Sequence, residues 1–577
     1  MKKLFALLLC LAMIASMFAA CGGDDKKTDK PAATEATGGA TTPSKDPSDV
    51  TITIGLPKSA LVTDYYDNVY TKWLEEQTGY NLEFQFFAAS ATDYKSQMST
   101  MVAGNIDLPD LLYSMNLGES VYERYGRDGV LVDLRPYFDD KEGKAAPWWE
   151  RFEALPQEAQ DNNWRRMLSN DGSGRIYAFP EIQESLIDIM DSQVWINREW
   201  LDALSLEMPN SPESLYNVLK AFKEQDPNGN GLPDEMPLVG TNGNLSGDTM
   251  SWLINMFIYC DTAAYFNVDE NGKLYLPHTT DQYREALKYI RKLYSEGLMS
   301  PLTLTANSKD LTQMVCPDEG GVQLAGVVVG HITLVFTQAH EGLLSYEALP
   351  LWGNAIINED QNTRCTFVTK SAVERGNMDA VWNLLMVMSS RESSIIQRYG
   401  EEGKDWDWAP EGSVSVIGEH RAAEIRLYQD TWGAMGNNNW RNVDATILLN
   451  AEGEGNQSVP EEETEVNLHK YKLFNDMLDS YYYQRDNFNP PEEQICPLLI
   501  WSQELIDEVP YERDDCKSYI SKARSDFITG AMDINSDADW DKYLAQLETL
   551  GLSKWTEYSQ YIYEETVAGR WFSDLVN

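Results

Sequence analysis

Ten residues, DPNGNGLPDE from Asp226 to Glu235, carry the densest spacing of metal-binding chemistry in the chain. Oxygen-bearing side chains fall at Asp226, Asn228 and Asn230, then at Asp234 and Glu235. Alternation of this kind turns successive ligands inward around a hard cation. Gly229 and Gly231 permit the tight bend, and the Leu232 carbonyl offers one more oxygen. The run begins like an EF-hand loop, but its twelfth position is Pro237, which cannot give the usual bidentate carboxylate. Glu235, at position ten, takes that role, and the expected ion is a structural Ca2+, its shell almost filled by protein oxygens. The competing reading is an Asx-rich turn that binds nothing.

Other chemistry is thinly marked. The five histidines are scattered, and no HExxH, Walker loop, GxSxG or GxGxxG occurs. A glycosidase carboxylate pair is defined by separation in space, and none of the 91 acidic residues is singled out. The chain therefore reads as a non-enzyme. Its 17 Trp and 30 Tyr suit a sugar site, where rings pack on C–H faces and Asp, Asn or Glu take the polar edges. Any one ring is as readily a core residue. The candidates in loops expected to face a cleft are Tyr65, Trp252, Trp408, Trp432 and Trp440, with Asp64, Asn116 and Glu181 as polar partners. GNNNW, Gly436 to Trp440, joins amides to a ring, as either a sugar site or a surface turn would.

Around these residues the elements follow from pattern. VTITIGL, with Val50, Ile52, Ile54 and Leu56 alternating, reads as a strand, then come a helix near Tyr66–Thr78, a strand NLEFQFF, a helix from about Asp93 to Ala103 and a strand PDLLYSM. Strand–helix–strand alternation with short connections predicts a parallel α/β sheet, whose ligands bind beyond the carboxyl ends of the strands. That puts the Thr63–Tyr66 and Met115–Gly118 loops at any cleft. A helix led by Ser211 and Pro212, apolar at Leu215, Val218, Leu219 and Phe222, leads into the ten-residue loop.

Lys2 and Lys3, an apolar run to about Met17 and FAAC ending at Cys21 read as a signal peptide with a lipobox, so residues 1–20 would be removed and Cys21 lipidated. The run is short for a membrane span. Residues 21–49 are polar and aperiodic, a tether of about 30 Å root-mean-square reach. A net charge of −45 makes nucleic acid and anionic membrane surface poor partners, leaving the lipid as the membrane contact. Five cysteines remain without CxxC spacing, so free thiols are expected rather than zinc or a disulfide framework.

WINREWLDALSLEMPNSPESLYNVLKAFKEQDPNGNGLPDEMPL, from Trp195 to Leu238, resembles the extracellular solute-binding lipoproteins of bacterial carbohydrate ABC importers, in their large, calcium-loop branch. RYGEEGKDWDW and the closing KARSDFITGAMDINSDADWDKYLAQLETLGLSKW resemble later segments of the same family, in the same order. The resemblance implies a two-lobed periplasmic-binding-protein-like α/β fold of type II, each lobe a mainly parallel sheet flanked by helices, with a three-segment hinge. It places residues 50–178 and 303–362 in the N-terminal lobe and 179–302 and 363–577 in the C-terminal lobe. The hinge crossings are expected at Gly174–Ile182, at EGLMSP (296–301) and near Asn362–Val368, with GGVQLAGVVVGH a strand of the first lobe. The implied function is a monomeric, lipid-anchored receptor on the outer face of the membrane, passing an oligosaccharide to ABC permease subunits. The alternatives are a peptide or other small metabolite as ligand, and an extracellular polysaccharide-acting enzyme.

Overall fold

A computed structural model describes residues 46–567, apart from short internal stretches (170–172, 184–189, 242–246, 262–263, 319–320, 337–339, 357–363, 429–434, 441–446, 450–451, 453–455, 461–462) and positions 498, 500 and 502. The signal segment, Cys21 and Trp432 lie outside the described residues. Nine strands form the two main sheets: β1 (Thr51–Pro57), β2 (Asn81–Phe87), β3 (Leu111–Met115), β4 (Phe179–Pro180), β5 (Val194–Asn197), β6 (Met236–Gly240), β7 (Ala325–Val329), β8 (Tyr346–Ala348) and β9 (Cys365–Val368).

The first sheet has the order β2-β1-β3-β9-β4. β1 lies parallel to β2 and β3, with Ile54 opposite Phe84 on one side and Leu111 on the other. β9 runs antiparallel to β3 and β4. The alternation read in VTITIGL is the burial of Ile52, Ile54 and Leu56, each fully covered. Helix α1 (Val69–Thr78) starts where the Asn68 side chain accepts from Tyr70 N–H and stops at Gly79, whose φ of 73° suits glycine.

The second sheet has the order β8-β5-β7-β6, with β6 and β7 parallel and β5 antiparallel to both β7 and β8. Helix α2 (Pro212–Glu224) opens with a capping box between Ser211 and Ser214 and buries Leu215, Val218, Leu219 and Phe222. Gly326 in β7 lets it approach closely, since a Cβ there would lie 2.4 Å from the Phe222 ring. The α/β class, helix-flanked mixed sheets and separate hydrophobic clusters agree with the expected two-lobed architecture.

The division of the chain between the sheets differs from the expectation. Ala325–Val329 pairs with β5 and β6 of the second sheet rather than returning to the first. Its run AGVVV is buried at every position, and such a run carries no mark of which sheet it enters. EGLMSP is no crossing: Leu298 O accepts from Leu238 N–H and Met299 bridges Leu238, holding the segment against β6. The chain instead leaves the first cluster after Ile182, returns to the first sheet at Cys365, enters the second cluster at Val416 and Ile417, goes back to the first at Trp440 and Ile447, and joins the second again at helix α3 (Glu465–Phe488). Met378–Met388, expected in the C-terminal lobe, packs on α1 in the first cluster through Val381, Trp382 and Leu385. Pro47–Asp49, assigned to the tether, forms a 3-10 turn capped by Asp46.

Candidate functional site

Each sheet presents one edge where strand ends and connecting segments converge. In the first, β3 ends at Met115, and antiparallel β9 begins at Cys365 directly opposite, next to Pro180 of β4. Asn116 and Glu181, both singled out in the sequence, therefore meet at this edge. The Asn116 N–H donates to the Tyr94 hydroxyl at 2.8 Å, and that hydroxyl donates to Asn116 O at 3.2 Å. Ser114, held at φ 53°, donates from Oγ to Glu181 Oε2 at 3.0 Å. Burial raises the Tyr94 pKa, with the Arg364 charge opposing and the Glu181 charge adding to that rise, so both charged groups lie near its hydroxyl. Tyr94, Ser114 and Arg364 carry no local sequence signal; only the strand pairing gathers them.

The loop after β1 behaves otherwise. Asp64 is exposed and spends Oδ1 on the N–H groups of Tyr66 (2.8 Å) and Asp67 (3.2 Å). Tyr65, expected to face a ligand, is buried against Phe84 and Phe86, and its hydroxyl accepts from Ser59 N–H. Trp440 is also a core residue: fully covered, edge-on to Tyr70, Phe84 and Tyr113, with Nε1 donating to Thr71 Oγ1 at 2.8 Å. Of the amides before it, Asn437 takes Asp64 N–H on its side chain and Val69 N–H on its carbonyl, Asn438 Nδ2 donates to the Asp405 carboxylate, and Asn439 Nδ2 donates to Gln397 O. GNNNW is a structural lacing of the loop before α1, which satisfies buried backbone groups. Trp408 is 45% exposed, T-shaped to Trp406 at 5.2 Å, with the Arg391 guanidinium 5.7 Å from its ring centroid.

At the second sheet, β5 runs antiparallel to β7, so residues before β5 share an edge with those after β6 and β7. Gln193 O accepts from Gly330 N–H, and Ser192 Oγ donates to Asp248 O at 2.9 Å. Asp248 caps the short helix Thr249–Asn255, which carries Trp252. The Trp252 ring is 4% exposed and lines a recess of about 20 Å³ with Asp191, Ser192, Asn255, Asn354 and Gln484. Burial, then the Asp248 charge, pushes the Asp191 carboxyl up to about 7. Met190–Ser192 is where the chain enters after the first crossing, and Ala355–Ile356 is where it departs before the second.

The acidic loop joins α2 to β6. Gly231 N–H donates to Asp226 Oδ2 (3.0 Å), Asn230 N–H to Asn228 Oδ1 (3.0 Å) and Leu232 N–H to Asn230 Oδ1 (2.7 Å), so the loop is folded on its own Asx side chains. Asn230 Nδ2 reaches both Asp234 oxygens, at 3.0 and 3.1 Å. Glu235 Oε1 is buried with no hydrogen-bond partner, and burial, then Asp226 and Asp234, raises the Glu235 pKa. Among the described residues no group of three His, Cys, Asp or Glu side chains is set as a metal cage. The loop's Asp226, Asp234 and Glu235 act on one another's charge without being set as such a group. A buried carboxylate oxygen with no donor, beside two further carboxylates, fits a cation.

Among the described residues no disulfide forms; Cys260, Cys496 and Cys516 are buried free thiols, and Cys316 and Cys365 are partly covered. No helix among them is long and apolar enough to cross a membrane.

No protein-family model matches the chain. The fructooligosaccharide ABC transporter substrate-binding protein FusA of Streptococcus pneumoniae is 25% identical over 518 residues, spanning 86% of this chain and 87% of FusA. The chain is thus similar to an ABC-transporter substrate-binding protein over most of its length. Lipoprotein LipO of Bacillus subtilis is 24% identical over 479 residues, 80% of this chain and 82% of its own length. The structure of FusA in complex with kestose superposes with a TM-score of 0.67 at 22% identity, covering 90% of this chain and all of that one. A solute-binding protein of Bifidobacterium longum infantis, associated with an ABC transporter that binds HMO, gives the same TM-score at 20% identity, over 89% and 98% of the two chains. The fold of these solute-binding proteins thus extends over nearly the whole described chain, and FusA and the Bifidobacterium protein are the ones named as binding proteins.

Proposed function

We propose that this solute-binding protein is the receptor subunit of a carbohydrate importer, taking a neutral oligosaccharide between the two sheet edges described above. The observation that carries the reading is the similarity to a fructooligosaccharide receptor along almost the full length of both chains. Convergence of Asn116 and Glu181 at one edge, and of Trp252 and Asp191 at the other, supports it. A ligand touching both edges favours the closed arrangement by its differential affinity, and the closed form is what permease subunits would recognise. The lipobox at Cys21 supports a lipid-anchored protein on the outer face of the membrane, monomeric and without a nucleic-acid role.

Asp226, Asn228, Asn230, Asp234, Glu235 and the Leu232 carbonyl would hold Ca2+, which would neutralise the acidic loop and clamp α2 to β6. An EF-hand mutant of FusA is a neighbour in structure, which supports such a loop in that relative. No chemistry on the ligand is assigned to the ion.

The test is a thermal-shift and calorimetric screen of the mature, unlipidated protein against neutral oligosaccharides, uronates and peptides, with calcium saturating. Stabilisation by a neutral sugar is the expected result. Stabilisation by peptides alone would overturn the ligand class while leaving the fold assignment intact.

A further inference from the structure

The recess at the second sheet edge has an unusual balance of groups. Trp252 is 4% exposed, and its Nε1 has no hydrogen-bond partner. Indole nitrogen only donates, so whatever satisfies it must accept. Close by is the Asp191 carboxyl, which accepts from Ser192 Oγ at 3.4 Å and is also hydrogen-bonded by Ser251. The amides deeper in are committed: Asn255 Nδ2 to Ser251 O and Cys260 O, Asn354 Nδ2 to Asn255 O, Gln484 Nε2 to Asn354 O. Leu351, Ala355 and Ile356 make the remaining wall apolar.

We propose that this recess receives the exocyclic hydroxymethyl group of one hexose unit of the bound sugar, its oxygen accepting from Trp252 Nε1 and its hydroxyl donating to Asp191. The inference rests on the oligosaccharide reading and names the feature of the sugar that is read. A hydroxyl both donates and accepts, which matches an unmet donor beside a carboxyl acceptor. The CH2 that carries it meets the apolar wall. At about 20 Å³ the recess has room for one water-sized group, which a sugar ring cannot enter but a protruding hydroxymethyl can. The Asp248 and Asp261 charges near Asp191, and Asp191 itself once ionised, oppose a carboxylate at the same place, so a C6-oxidised sugar is disfavoured. The position supports access: the recess lies at the strand edge, bounded by the segments that enter from the first crossing and depart into the second.

The experiment titrates the calcium-loaded protein by calorimetry with kestose, maltotriose, cellotriose, xylotriose and galacturonotriose. Xylotriose lacks the hydroxymethyl, and galacturonotriose carries a carboxylate in its place. A hexose trisaccharide should bind best, and Trp252→Phe, which keeps a ring but removes the donor, should weaken it about tenfold or more while still unfolding in one cooperative transition, at a Tm lowered by the smaller ring. If that variant does not fold, Asp191→Asn serves instead: it should narrow the preference for the hexose over galacturonotriose by about tenfold. Affinity unchanged within twofold in the variant tested, or strongest binding by xylotriose or galacturonotriose, overturns the inference alone, with the recess holding only water in the first case. Binding of none of the sugars overturns the oligosaccharide reading and this inference with it.

Discussion

The Asp191 carboxyl shows what one buried residue does to the whole chain's response to pH. Burial, the neighbouring Asp248 and the more distant Asp261 hold its folded pKa near 7 from an ordinary value of 3.8, against hydrogen bonds from Ser251 and Ser192 that favour ionisation. The folded state therefore keeps a proton that the unfolded chain has released. The stabilising contribution is full below pH 4 and declines as pH rises to about 7, after which both states are ionised and it stays lost. Between pH 5 and pH 8 that loss is on the order of 3 kcal/mol at about 1.4 kcal/mol per pH unit. Asp191→Asn cannot ionise, so its Tm should gain on the wild type across this interval in the ligand-free protein. Parallel Tm curves for the two proteins from pH 5 to pH 8 would remove Asp191 from the recess chemistry. Residue type alone did not reveal this group. Asp191 is one of 91 acidic residues, and its partners stand at 248–255, 351–356 and 484. Trp252 and Trp440 are likewise indistinguishable as residue types. The indole of Trp440 finds Thr71 and three rings, while that of Trp252 is left with an unmet donor.

At the scale of elements, local pattern carried far and stopped at pairing. The capped helix Pro212–Glu224 was legible because the cap, the proline and the apolar stripe all lie within one window, and likewise the alternation of β1. The lobe of β7 was not legible, because parallel and antiparallel partners are chosen through contacts more than 80 residues away in sequence. The acidic loop belongs to this scale too, since every residue proposed to hold the ion lies between α2 and β6. Burial, then the Asp226 and Asp234 charges, raises the Glu235 pKa, and a cation in the loop would relieve both. Calcium at about 100 times its Kd should stabilise the folded state by about 2.7 kcal/mol, which for lobes of this size corresponds to a Tm rise of roughly 5–11 °C. Asp226→Ala should abolish the rise and leave the metal-free Tm nearly unchanged. Scanning calorimetry with calcium and with chelator checks both. An equal rise in the variant would make the loop an Asx turn and nothing more.

For the molecule as a whole, the connectivity itself constrains the motion. Five passages join the two hydrophobic clusters, after Ile182, before Val368, ahead of Val416, after Ile417 and ahead of Val466. Glu181 lies just before the first of these passages and Asp191 just after it. Rotation about these passages changes the separation of the edges while each sheet keeps its own hydrogen bonds and core, the geometry of hinge closure. The core clusters resist deformation, so the energy of the change is concentrated in a few backbone torsions and in whatever spans the gap. Ligand binding should therefore lower the radius of gyration in small-angle scattering, by an amount far smaller than unfolding would change it, with no change in helix content by circular dichroism. Trp252→Phe should require about tenfold more sugar for the same contraction, yet reach the same end point, because it weakens one contact without altering the hinge. Sugar binding with an unchanged radius of gyration would mean that one sheet edge holds the ligand alone, and the receptor would then have no closed form to offer a permease.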